Sequence, residues 1–198
     1  MAPGALITKP VVGFTREQLK AFDGKTVPDL LGRDVSLIFV GINPGLWTAA
    51  TQTHFCHPSN RFYPALRKAG LIDLDLDTDL GMTDAQRAGF LARGMGITNL
   101  VSRATARASE IAAEELRQGG ERLLATVATL KPAVVAIAGV TAYRTAFGRP
   151  DAAMGRHEPD ISGAQMWVIP NPSGLNAHET VDSLARWFAE VGEVAGLL

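Results

Sequence analysis

The chain is predicted to adopt an open α/β fold, with a mostly parallel sheet wrapped by helices on both sides, on three observations. Strand-like and helix-like segments alternate along most of its length. Residues 35–40 and 133–138 are apolar at nearly every position, as strands covered on both faces must be. Two polar turns rich in Gly and Pro, Gly41-Ile42-Asn43-Pro44-Gly45 and Asn171-Pro172-Ser173-Gly174-Leu175-Asn176, follow strand-like runs directly. Open α/β sheets bind their ligands at such strand ends, so the two turns are placed to line one shared site.

Taken in order, Thr15-Arg16-Glu17-Gln18 fits a capping box, in which a Thr hydroxyl and a Gln side chain satisfy the first amides of a short helix. That helix should end before Asp23-Gly24-Lys25. The strand over 35–40 leads into the first turn, after which the sequence predicts a long irregular stretch. A helix over 60–69 is closed by Gly70. Residues 71–82, with four Asp alternating among Leu and Thr, read as an irregular excursion. Thr83-Asp84-Ala85-Gln86 opens a second capped helix running to about Arg93. Gly96-Ile97-Thr98-Asn99-Leu100-Val101 is a short strand. Residues 109–130 carry a helical apolar pattern interrupted by Gly119-Gly120, each weakening a helix by about 1 kcal/mol relative to Ala, so a kink or close helix packing is expected there. The strand over 133–138 ends at Gly139 and a short helix follows over 141–147. Residues 148–163 read as a loop or hairpin, residues 165–169 as the strand before the second turn, and residues 180–188 as an amphipathic closing helix.

The 198 residues fit a single domain, with residues 1–33 as an N-terminal extension carrying the short helix, and a 46% hydrophobic content suffices for a two-sided sheet core. No apolar run approaches the roughly 18 residues of a membrane span, and the first residues carry no secretory leader, so a soluble, cytoplasmic chain is expected, nucleoid-associated when bound to DNA; a monomer is expected as well. A lone cysteine, Cys56, excludes an internal disulfide and a four-cysteine metal or iron–sulfur site. A net charge of −1 argues against coating nucleic acid by bulk electrostatics, so any such contact must be local. Arg61, Arg67, Lys68, Arg103 and Arg107 are the candidates for a phosphate-facing patch.

The first turn lacks the spacing of a dinucleotide fingerprint or a P-loop, which leaves Asn43 as its chemical centre. An Asn at a rigid strand end accepts from a water and donates to an acceptor, a combination suited to positioning a nucleophilic water; the alternative is an Asx turn. Phe55, isolated among polar residues, can stack on a planar ligand or pin its loop. His54, His57 and His178 match no metal spacing. Ser173 lacks the surroundings of a serine-hydrolase nucleophile. Leu175, an apolar tip between Gly174 and Asn176, is the type of side chain that wedges between stacked bases.

Five ordered landmarks run from Asp34 to the C-terminus: the motif at 41–45, Phe55-x-His57-Pro58-x-Asn60-Arg61-Phe62, the strand at 96–101 with Arg103-x-Thr105, Gly119-Gly120, and Asn-Pro-Ser-Gly-Leu at 171–175. In these the chain resembles the mismatch-specific uracil/thymine DNA glycosylases, the G·U branch of the uracil-DNA glycosylase superfamily. The resemblance implies a three-layer α/β/α fold with a short, mostly parallel central sheet. It also implies a monofunctional enzyme that flips uracil, with thymine or other damaged bases as further substrates, out of G·U-type mispairs in double-stranded DNA and hydrolyses its N-glycosidic bond, without metal or cofactor. By the same resemblance Asn43 positions the attacking water, Ile42, Gly45, Thr48, Asn99 and Asn171 line the base pocket, and Phe55 is its stacking floor. Ser173, Gly174, Leu175 and Asn176 form the insertion segment that contacts the opposite strand. Trp47-Thr48 replaces small Ser-type residues, Asn99 stands where Lys can occur, and Asn176 replaces a Ser-Arg pair; pocket size, base range and the opposite-strand contact are where this chain should differ. Two other readings use the same scaffold: a lesion-binding protein that flips without cleaving, and a nucleoside or nucleotide hydrolase.

Overall fold

The computed structural model describes residues 13–198; the first twelve residues of the expected N-terminal extension lie outside them. Five strands, β1 (Leu37–Gly41), β2 (Met95–Asn99), β3 (Val134–Ala138), β4 (Gly155–Ile161) and β5 (Ala164–Ile169), form one sheet in the order β2-β1-β3-β5-β4. All neighbours are parallel except the β4–β5 hairpin at the edge, which resolves the loop-or-hairpin alternative for residues 148–163. Among the described residues, seven α-helices accompany the sheet: α1 (Arg16–Lys20), α2 (Leu46–Thr51), α3 (Phe62–Lys68), α4 (Asp84–Ala92), α5 (Ala113–Leu130), α6 (Val140–Phe147) and α7 (Val181–Val194). No described helix is long and apolar enough to cross a membrane.

Side chains of β1 alternate between two cores, as a period of two requires. Leu37 and Phe39 join Phe62 and Leu66 of α3, Phe90 of α4 and Leu184 and Phe188 of α7 on one face. Ile38 and Val40 join Leu116, Leu123 and Val127 of α5 and Ala142 and Tyr143 of α6 on the other. The result is the three-layer arrangement expected, with every β1 residue buried.

The local signals govern the ends of several elements. Both predicted capping boxes form: Thr15 with Gln18 at α1 and Thr83 with Gln86 at α4. Pro64 lies in the first turn of α3, where a missing N–H removes no helical bond. Residues 71–82 contain no helix or strand.

Two expectations are corrected. The first turn is followed at once by α2, capped by Gly45 in an extended conformation, rather than by an irregular stretch. Its six residues are too few to show a helical period, and Thr51, which returns its hydroxyl to the Trp47 carbonyl at 3.0 Å, is not a strong helix former. The helix expected from residue 109 begins instead at Ala113, after a 3-10 turn over Ala108–Glu110. Of the alternatives at Gly119-Gly120, close packing is realised: α5 runs unbroken, a Cβ on Gly119 would collide with the Leu100 carbonyl, and one on Gly120 would lie 2.8 Å from the Ala146 carbonyl oxygen.

Candidate active site

A cleft of about 310 Å³ opens at the carboxyl ends of β1, β2, β3 and β5. It lies between β1 and β3, where the connection leaving β1 runs to β2 on one side and the one leaving β3 runs to β4 and β5 on the other, the switch point at which open α/β sheets bind ligands. Both polar turns and the Phe55 loop converge here. Of the eleven residues expected at the site, ten line the cleft: Ile42, Asn43, Gly45, Thr48, Phe55, Asn99, Asn171, Ser173, Gly174 and Leu175.

Asn43 is half-buried, and its amide orientation is set by its partners. Nδ2 donates towards the Thr105 hydroxyl at 2.8 Å, the Pro44 carbonyl at 2.9 Å and, more weakly, the Arg103 carbonyl at 3.3 Å. Carbonyl oxygens only accept, so the nitrogen must face them. Thr105 is buried, donates its own proton to the Arg107 carbonyl at 2.8 Å, and therefore offers Asn43 a lone pair. With the nitrogen engaged, Oδ1 has no protein donor among the described residues and can accept a hydrogen from water. Part of the amide does bond its own turn, as an Asx arrangement would, but the contact to Thr105 crosses to the loop after β2. That loop runs beside the first turn, with Thr105 N–H donating to the Pro44 carbonyl at 3.1 Å.

Phe55 occupies the left-handed region with φ 56°, an unfavourable conformation for a bulky residue that the surrounding packing must hold. Its ring stacks on Phe62 at 4.2 Å between centroids, and Phe62 meets Phe39 and Phe188 edge-on at 5.1 and 5.5 Å. One face of the floor is thus bolted to the core. Gly41 gives Phe55 and Asn99 their room: a Cβ there would collide with Asn99 Oδ1 and lie 3.1 Å from the Phe55 ring.

Asn60, Arg61 and Phe62 serve three different parts of the site. Asn60 Oδ1 accepts from Phe62 N–H at 2.9 Å and shapes the entry to α3. The Arg61 guanidinium donates to the carbonyls of Glu179, Asn176 and Gly174 at 2.6, 3.0 and 3.1 Å, tying together the loop after β5. This corrects the expectation that Arg61 faces phosphate. Arg67 and Lys68 pair with Asp75 and Asp182 at 3.1 and 2.6 Å. Arg103 grips Glu115 at 2.6 Å, and that hydrogen bond, with a second from Ala112 N–H, holds the Glu115 carboxyl down to about 2. Of the five basic candidates, Arg107 alone lines the cleft and has no ion pair among the described residues.

In the second motif, Asn171 Oδ1 accepts from Ser173 N–H at 2.9 Å, so Asn171 builds its turn as well as lining the cleft. Gly174 packs against Ser59, where a Cβ would lie 2.7 Å from its carbonyl oxygen. Leu175 projects from this braced loop 94% exposed. Asn176 is the one expected residue that the structure leaves out of the cleft. Its Nδ2 donates to the Asn171 carbonyl at 3.0 Å and its Oδ1 accepts from His178 N–H at 3.3 Å, so its amide is engaged inside the loop. Trp47 also points elsewhere, donating to the Thr78 carbonyl at 2.7 Å and meeting Phe14 and His57 edge-on; Thr48, next to it, is the residue that reaches the cleft.

Sequence reasoning missed two residues. Thr105 appeared only as a spacing landmark, and His54, given no metal or acid–base pattern, is a buried wall of the cleft. The floor, the oriented amide and the exposed apolar tip together can hold a planar ring, place a water beside it and fill space opened next to it.

The structure matches a solution NMR structure from Methanosarcina acetivorans, named as a candidate uracil DNA glycosylase, with a TM-score of 0.58 over 86% of this chain and 98% of that one. At 16% identity this likeness speaks for the fold. The sequence itself matches the family model of the uracil DNA glycosylase superfamily over residues 28–191, a span that holds every residue of the cleft. The chain therefore belongs to the uracil DNA glycosylase superfamily and is a DNA glycosylase, a hydrolase of N-glycosyl bonds acting on DNA.

Proposed function

We propose that this single-domain, monomeric enzyme excises uracil from G·U mispairs in double-stranded DNA, thymine opposite guanine being its second substrate. The observation that carries the reading is the Asn43 amide, locked by Thr105 and two carbonyls so that its oxygen is left for a water at the mouth of a base-sized cleft. The flipped base stacks on Phe55, and Leu175 enters the gap that it leaves. A mispaired base is cheaper to extrude than a paired one, which gives part of the selectivity. As the glycosidic bond breaks, positive charge develops on the sugar and negative charge on the departing base. The water held by Asn43 then adds to the sugar carbon, and the proton it loses neutralises the departing base anion. A protein that only bound lesions would gain nothing from an oriented acceptor at this place.

A labelled G·U duplex, treated with enzyme and then alkali, should break at the uracil position. An intact strand under single-turnover conditions would refute the proposal, and a G·T duplex in parallel reads the second substrate.

Leu175→Ala should leave stability within about 0.5 kcal/mol of the parent, because the side chain is exposed. Excision opposite adenine should fall more than excision opposite guanine, since a Watson–Crick pair needs more help to open. A large loss of melting temperature with an unchanged A·U to G·U ratio would make Leu175 a packing residue.

Duplex affinity should depend only modestly on salt. Net charge is near zero, and of the five candidate cations Arg61, Arg67, Lys68 and Arg103 are engaged within the protein, so the log–log slope of binding against salt should be about −2 to −4. Fluorescence anisotropy across a salt series measures it; a slope steeper than about −7 would require an extended basic surface.

A further inference from the structure

His54 is 3% exposed and its ring is bonded on both sides. Nε2 lies 2.9 Å from the Pro28 carbonyl and Nδ1 lies 3.0 Å from Asn99 Nδ2. A carbonyl can only accept, so Nε2 carries the proton, and a neutral ring then offers Nδ1 as an acceptor to the Asn99 N–H. Turning the Asn99 amide over would set its oxygen against that lone pair. The observed arrangement places Asn99 Oδ1 over Gly41, on the cleft side, in the space that a Gly41 side chain would occupy.

We propose that His54 is a positioning residue that holds the Asn99 amide with its oxygen towards the base pocket, so that the site reads a base offering a ring N–H beside a carbonyl. This rests on the uracil reading above. Uracil presents that imide edge, an N–H flanked by carbonyls, whereas cytosine presents an unprotonated ring nitrogen beside an amine. An amide fixed in one orientation complements the first edge, and the inverted amide complements the second. A free Asn adapts to either, so discrimination at Asn99 needs a lock.

Burial drives the His54 ring towards its neutral form, lowering its pKa. The charged groups around it act in opposite directions, Asp29 favouring protonation and Arg87 opposing it, while the Pro28 carbonyl favours the protonated form. Asp29 is in turn held by the Thr98 hydroxyl at 2.7 Å, and Tyr63 fixes the His54 backbone by donating to its carbonyl at 2.8 Å. The ring is therefore anchored at its backbone, at Nε2 and at Nδ1, with Asn99 the only one of these partners that faces the cleft.

A double-mutant cycle tests the assignment. His54→Gln can still reach the Pro28 carbonyl with its amide but presents no acceptor where Nδ1 stood. It should lower single-turnover uracil excision about tenfold, the scale of one oriented hydrogen bond, with duplex binding and melting temperature little changed. In an Asn99→Ala background the same substitution should have no further effect, because His54 acts through Asn99. An undiminished loss in that background would make His54 a support for the loop, and no loss in the parent would remove its role; either overturns the proposal. Imidazole nitrogen shifts of the unmodified protein give a readout that needs neither a stable variant nor activity. They should show a neutral ring protonated at Nε2 at neutral pH, since burial lowers its pKa; protonation at Nδ1 overturns the lock. A parent enzyme that leaves uracil in place sinks the functional reading and with it the base assigned to Asn99, while the nitrogen shifts still report whether the lock exists.

Discussion

Replacing Asn43 with alanine should lower single-turnover excision from a G·U duplex by about two to four orders of magnitude, the range for loss of one positioned catalytic contact. Duplex affinity should hardly change. Asn43 reaches no residue of the exposed Leu175 tip, and the loop after β2 keeps its own ties when the amide is removed: Thr105 N–H still donates to the Pro44 carbonyl and the Thr105 hydroxyl to the Arg107 carbonyl. What disappears is the acceptor for water. Thr105→Val, which keeps the volume and deletes the lone pair that orients Asn43, should fall between, at roughly a tenfold loss. Rapid-quench kinetics with enzyme in excess separates chemistry from binding. An Asn43→Ala enzyme that cleaves at the parent rate would return Asn43 to the role of a turn residue.

The second large effect concerns stability and has the opposite sign from helix propensity. Gly to Ala inside a helix ordinarily stabilises by about 1 kcal/mol, and Gly89, exposed in α4 with nothing within 4 Å of its added Cβ, should follow that rule and gain about 0.5–1 kcal/mol. Gly119 should not. Its Cβ would collide with the Leu100 carbonyl, whose oxygen also accepts from Arg122 at 2.9 Å. Backbone on both sides leaves no rotamer to relieve the overlap, so α5 or the strand end must move. We expect a net loss of about 2 kcal/mol or more, the upper part of the overpacking range once the propensity gain is subtracted. For a domain of this size that is a fall of about 4–8 °C in melting temperature. Because Leu100 follows Asn99, excision should weaken as well. Thermal melting of the two variants side by side decides it: an equal gain at both positions would mean that α5 does not press on β2.

Much of this architecture was legible from local chemistry. Continuous apolar runs in β1 and β3 announced strands covered on both faces, and Thr15/Gln18 and Thr83/Gln86 announced two helix starts, because in each case the interacting atoms lie within a few residues of one another. The two turns at the ends of β1 and β5 located the cleft, since parallel strands send their carboxyl ends to one edge of the sheet. The short α2 was not legible, its six residues being too few to show a period.

The chemical state of the site, by contrast, depended on partners far away in the chain. Asn43 meets Thr105 across 62 positions and His54 meets Asn99 across 45. Which end of each amide is engaged and which faces the cleft follows largely from those meetings, although the Asn43 nitrogen also bonds the neighbouring Pro44 carbonyl at 2.9 Å. The same holds for the basic residues, where composition counts charges but only folding shows that Arg61 is committed to three carbonyls of the loop after β5. Hence the sequence by itself determined the layers, the strand ends and the residue types gathered there. The tertiary structure decided which of their polar atoms remain for a ligand, because a hydrogen-bonding group is available only where the rest of the chain has left it unpaired.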